Sequence, residues 1–195
     1  MRNVIPLAKA PRKGGRSARR LLERFDATAL IGLSVTAVGA VFEVREPDDV
    51  GGPSIAIPNI EGLSAAAALV RCQNALRLRG PEVKALRAIA GMTQPELCVA
   101  IGGDTAVETI SRWETSDRPV SAYVERLVRL AVCERLKALA PGVAYQPLSV
   151  VGLRIVDRSR KAAPMVFRQE RRKVGRSVEA TWVDAGAAGS TKVAA

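Results

Sequence analysis

The chain has 195 residues and 48% hydrophobic composition, enough for one or two small domains, and only 4% aromatics, so any core is built from Val, Leu, Ile and Ala. Its net charge of +11 points to a polyanionic partner. The absence of any histidine excludes Ser-His-Asp and Cys-His catalysis and every His-ligated metal site.

The charge is unevenly placed. Residues 1–25 hold eight basic groups and one acid, and residues 154–176 hold nine and two; residues 79–139 hold nine basic and eight acidic groups, a net of only +1. The ends therefore supply most of the attraction to a polyanion. Cys72, Cys98 and Cys133 lie 26 and 35 residues apart, with no metal-binding pair. They read as buried free thiols of a protein in a reducing cytoplasm.

In chain order, residues 1–26 read as a basic disordered tail with at most a short helix at Ser17–Phe25. Ala27 to Phe42 carries no charge, but Gly32, Ser34, Thr36 and Gly39 interrupt it and it is short for a bilayer span. A strand near Ser34–Val44 is expected instead, within a small N-terminal β segment covering 27–63 that ends with a short strand at Ser54–Pro58. Ser64 is read as the cap of a helix through about Leu78, with Leu69, Cys72 and Leu76 on one face, packing on the following helices or against a second copy.

Residues 64–140 form the next unit. Gly80-Pro81-Glu82 opens a helix through Ala90. Thr93 and Glu96 form a capping box, with Pro95 in the first turn, and Leu97, Ala100 and Ile101 fall on one helical face. Gly102-Gly103 ends that helix, and Asp104 or Thr105 caps another running from about Thr105 to Glu114, with Ile110 and Trp113 inward. Ser121 caps a last helix through Leu139. After Pro141-Gly142, residues 141–184 read as a basic C-terminal β segment: strands at Leu148–Val156, Met165–Val174 and Val178–Asp184, the second an exposed charged edge. Residues 185–195 read as a disordered tail.

Helix, tight glycine turn and short helix is the geometry that sets one helix into the DNA major groove. The stretch 80–139 resembles the lambda repressor-like Cro/CI (XRE) helix-turn-helix family, on Leu86-Arg87, Gly91-Met92-Thr93-Gln94, Glu96-Leu97, Gly102 and Ile110-Ser111-Arg112-Trp113-Glu114. The resemblance implies that the helix carrying Ile110 is the recognition helix, that Gln94 and Arg112 reach DNA and that Glu114 braces the following loop. Cys98 stands where the family usually has Ala, and the interval from Gly102 to Ile110 is one or two residues longer than usual. A narrower resemblance, on Ile60-Glu61-Gly62-Leu63, Leu78-Arg79-Gly80-Pro81-Glu82-Val83 and Leu86-Arg87, is to antitoxin regulators carrying an N-terminal zinc finger; their zinc-binding cysteine pairs are missing here.

The expected fold is thus α+β, a four- to five-helix lambda repressor-like bundle flanked by small β segments. Gln94, Val107, Glu108, Thr109 and Arg112 are expected at bases, and Lys84, Arg87, Thr93, Thr105 and Arg118 at phosphates. Glu96, Gly102, Ile110, Trp113 and Glu114 are expected to be structural, with no catalytic residue, metal or cofactor. The expected activity is that of a DNA-binding repressor acting as a homodimer on double-stranded DNA, off the membrane. The alternative is an antitoxin that masks a toxin protein.

Overall fold

The computed structural model describes residues 17–45, 52–116, 120–157, 163–174 and 177–186. Among these, the elements run β1 (Ala18–Asp26), α1 (Thr28–Ile31), β2 (Val35–Arg45), β3 (Ser54–Ala56), α2 (Ile60–Gln73), α3 (Gly80–Ile89), α4 (Gln94–Ala100), α5 (Val107–Thr115), α6 (Ala122–Leu136), α7 (Pro147–Val151), β4 (Met165–Val174) and β5 (Ser177–Asp184).

The strands join in one five-stranded mixed sheet of order β1-β2-β4-β5, with β3 also on β2. This overturns the expected helical bundle with small separate β segments at either end. β1 pairs along the length of β2, so β4 and β3 share the other edge, β4 in parallel at Val35–Val38 and β3 antiparallel at Phe42–Val44. Val35 meets Met165 across the whole helical region. The alternation within each strand says which face is buried and not which strand lies beside it, and a parallel neighbour needs a long crossover.

One face of the sheet is the platform for the helices. The register sets Phe25 beside Ala37 and Ala37 beside Phe167, and Val35, Ala37, Phe167 and Trp182 are all buried. Against them lies α2, in which the four consecutive residues Ala65 to Ala68 are fully buried along with Leu69 and Cys72. Four successive buried positions go round the whole helix, as in a helix enclosed on all sides. It packs on β4 and β5 on one side and on α3 and α6 on the other. Small side chains let it approach both layers.

Local signals explain where several elements differ from expectation. Asn59, not Ser64, caps α2: its φ is +50°, and its side-chain oxygen accepts from the Gly62 N–H at 3.0 Å. The same asparagine donates to the Ala180 carbonyl, and the Trp182 indole N–H donates to the Asn59 carbonyl at 2.9 Å, so the helix start is tied to β5. The basic segment 18–26 is an edge strand rather than a tail or helix, because Leu22 and Phe25 pack against the core while Arg19, Arg20 and Arg24 stay exposed. Charged side chains on an edge discourage pairing with a second sheet. Within β2, Gly39 at φ +69° lies where the pairing with β1 shifts register.

The expected strand at Leu148–Val156 is instead α7, opened by Pro147 in its first turn, followed by a single bridge from Val156 to Leu76. β4 is not a free edge over its first half, since β2 and β5 flank it. α6 ends at Leu136, three residues early. Residues 1–16 and 187–195, read as tails, lie outside the described residues. No helix among the described residues is long and apolar enough to cross a membrane.

Two buried arginines fix the connection between α2 and α3. Arg129 of α6 is fully buried; it holds Glu125 at 2.6 Å and donates to the carbonyls of Cys72, Asn74 and Leu76 at 2.9, 2.5 and 2.8 Å. Arg71 pairs with Glu82 at 2.8 Å and donates to the Leu76 and Arg77 carbonyls. Glu125 in turn accepts from the Leu78 N–H at 2.8 Å. These bonds satisfy carbonyls that the irregular segment cannot pair with itself. They also hold α3 to α2 and α6.

Candidate nucleic-acid interface

The candidate interface is built on three short helices. α4 starts as its sequence dictates: Thr93 Oγ1 accepts from the Glu96 N–H, and Glu96 accepts from the Thr93 N–H at 2.7 Å and from its hydroxyl at 2.8 Å. Those hydrogen bonds, led by the one from the Thr93 N–H, hold the Glu96 carboxyl below its usual range. Leu97 and Cys98 face the core. The helix stops at Gly102 (φ +119°) and Gly103 (φ +80°), whose N–H groups bond back to the Val99 and Cys98 carbonyls. Such angles favour glycine.

α5 begins at Val107, two residues later than expected. Ala106 stands at its N-cap without a side-chain bond, so neither Asp104 nor Thr105 caps it. The longer interval after Gly102 is spent in the turn. Ile110 is fully buried and Glu114 nearly so, Trp113 is half-buried against the core, and Val107, Glu108, Arg112 and Thr115 are exposed. Arg112 sits over Thr109, to whose hydroxyl it donates at 3.3 Å. Glu108, Ser111, Arg112 and Thr115, spaced three and four apart, form the outward stripe. Ser111 and Thr115 were not among the expected contacts, although their spacing from Glu108 marked them.

Glu114 is the keystone. It receives Arg87 of α3 through two hydrogen bonds of 2.5 and 2.9 Å, and Gln94 at the start of α4 at 2.9 Å. Arg87 also donates to the Met92 carbonyl at 2.8 Å. One carboxylate thus joins α3, α4 and α5; the loop it was expected to brace continues into residues 117–119, which lie outside the described residues. Arg87 is committed to this pair, which removes it from the phosphate-contacting set. Gln94, half-buried, is oriented by the same carboxylate.

Burial pushes the Glu114 carboxyl up, but the hydrogen bonds from Arg87 and Gln94 and the Arg87 charge outweigh it and hold it below its usual range. A carboxylate depressed on folding contributes stability above its unfolded pKa and loses it as pH falls through the folded value. The thermal midpoint is therefore expected to drop on acidification below about pH 4.5. Glu114→Gln, which cannot titrate, is expected to show a shallower acid limb in a melting series from pH 7 to 3. Parallel limbs for the two proteins would show that the lock does not set acid stability.

Of the remaining expected contacts, Lys84 is exposed on α3, Thr93 is exposed at the α4 cap and Thr105 is half-buried in the turn, while Arg118 lies outside the described residues. The three thiols are free and buried, and burial together with contact with Cys133 pushes the Cys72 thiol up, which keeps it protonated and unreactive. Among the described residues no cluster of three or more His, Cys, Asp or Glu could hold a metal ion. No family model, curated protein or solved structure matches the chain.

Proposed function

We propose that the protein is a sequence-specific DNA-binding regulator, a repressor of the Cro/CI helix-turn-helix kind, which reads the major groove with α5. The observation that supports this most is the Glu114 lock: a buried carboxylate fixes the angle between α4 and α5 while the other side of α5, with Glu108 and Arg112, faces solvent. Arg112 can bond a guanine edge through two parallel hydrogen bonds, and Glu108 can accept from a cytosine amino group. Gln94, Thr109 and Val107 lie at the margins of the same surface, and Lys84 serves a phosphate. Two copies on successive major grooves call for a near-palindromic operator. The buried, unpaired thiols suit a reducing cytoplasm.

A gel-shift titration against DNA from upstream of the gene, with scrambled competitor, at two salt concentrations, tests the reading. A shift that survives the competitor supports it. Weak binding that disappears at the higher salt contradicts it.

Two variants separate reading from attraction. Arg112→Ala is expected to cost about 1–3 kcal/mol of binding and to relax preference at one base pair. Removing residues 1–16 takes away Arg2, Lys9, Arg12, Lys13 and Arg16 with no acid, and spares β1. This truncation should weaken binding to every sequence alike and flatten the salt dependence. A salt slope equal to that of the full chain would show that these charges do not meet phosphate.

A further inference from the structure

A groove of about 750 Å³ runs between α4 and α6, with Pro95, Val99 and Ala100 on one wall and Leu127, Leu130 and Ala131 on the other. Val99 is 74% exposed. A β-branched residue is a poor helix former, so neither helix propensity nor core packing accounts for it there. On α6, Tyr123, Leu127, Leu130 and Glu134 recur at spacings of four, three and four, on the side away from the buried Glu125, Val128, Arg129 and Val132. This is the heptad spacing of a helix that packs against another helix.

We propose that this groove is where a second copy of the chain docks, pairing α6 with its twin and seating Val99 of each copy in the groove of the other. Two observations favour a second copy over an unrelated partner. The groove carries charges of both signs, Glu96 on the α4 wall and Glu134 and Arg135 on the α6 wall. An isologous contact is self-complementary, so a second copy can set acid against base twice over, whereas a partner of one sign leaves a like charge opposed. The groove also lies in the stretch 79–139, which carries a net charge of only +1 in a chain of +11, so copies meet there with least repulsion. No residue of α5 lines it, so the docked pair leaves both reading helices open.

The inference rests on the DNA-reading proposal only for its purpose, and its test uses no DNA. Sedimentation velocity of the full chain across a concentration series is expected to show a monomer–dimer equilibrium. Val99→Glu and Leu130→Glu should each weaken dimerisation at least tenfold with unchanged far-UV circular dichroism. Leu148→Glu, on the exposed face of α7 (83% exposed), should leave it intact. Because Leu130 also touches the core, the exposed Arg135→Glu serves as a second probe and should weaken the dimer without loss of fold. A chain that stays monomeric at every concentration overturns the proposal, as does a dimer indifferent to Val99→Glu and Arg135→Glu. Set beside the separate gel-shift titration, a monomer that still selects its operator removes this interface alone; a groove dimer without DNA selectivity removes the DNA-reading proposal alone.

Discussion

Arg129→Ala is expected to destabilise the protein by about 3–5 kcal/mol, the range for breaking a buried ion pair by removing one partner. The guanidinium has no exposed surface, and its loss leaves Glu125, 1% exposed, without its closest counter-charge. Arg77 reaches Glu125 only at 3.5 Å. The carbonyls of Cys72 and Asn74, at the end of α2, lose their donor as well, and each unsatisfied buried group adds its desolvation cost. For a chain of this length the melting temperature should fall by about 6–20 °C. Arg129→Met with Glu125→Gln should recover part of the loss, because the unpaired charge is then gone. A single variant that melts within about a degree of the parent would show that the network is not what holds α6 to α2.

Gly80→Ala is expected to damage both stability and DNA reading. A methyl group built on Gly80 would stand 2.5 Å from the Trp113 carbonyl oxygen and 2.6 Å from that of Ser116, both of them backbone. Real side chains do not approach so closely, so either the start of α3 or the end of α5 must move. Overpacking of this kind costs about 1–3 kcal/mol, occasionally more. The displaced backbone belongs to the helix that carries Arg112, so selective binding should fall at least about tenfold, or about 1.4 kcal/mol, at temperatures where the variant is folded. Thermal melts and anisotropy titrations on one sample check both halves. Full selectivity in a destabilised Gly80→Ala protein would mean that α3 moved and α5 did not.

The helices around α4 were legible because their signals are local. Thr93 and Glu96 are three residues apart, Gly102 follows the last apolar position, and Ser121 accepts from Val124 as a cap should. Pairing between distant segments was not legible. β2 and β4 find each other through the sheet, and the ordering of 18–26 as a strand depends on β2 beside it. The loss of Arg87 from the contact set has the same origin. A basic residue on a helix looks available until the fold brings Glu114, 27 positions away, to within 2.5 Å of it. Conversely, the outward stripe of α5 followed from helical spacing once its start was known, and the start was misplaced because the turn holds more residues than the usual pattern.

The fold also separates the proposed reading helix from most of the basic charge. The bundle that presents Arg112 is nearly neutral, whereas β1 and β4 expose Arg19, Arg20, Arg24, Arg168, Arg171, Arg172 and Lys173. On the outer sheet face some of that charge is already spent, since Arg168 pairs with Glu170 at 2.8 Å. On the proposed reading, selectivity is expected from α5 and salt-dependent attraction from the ends of the chain.

The central claim, that α5 reads sequence, is tested most directly by selection from a random duplex pool with the full-length protein and its Arg112→Ala variant side by side. The account predicts a near-palindromic consensus for the parent and the same consensus with one base pair per half-site relaxed in the variant. Equal recovery of all sequences, or an identical consensus for both proteins, would contradict it.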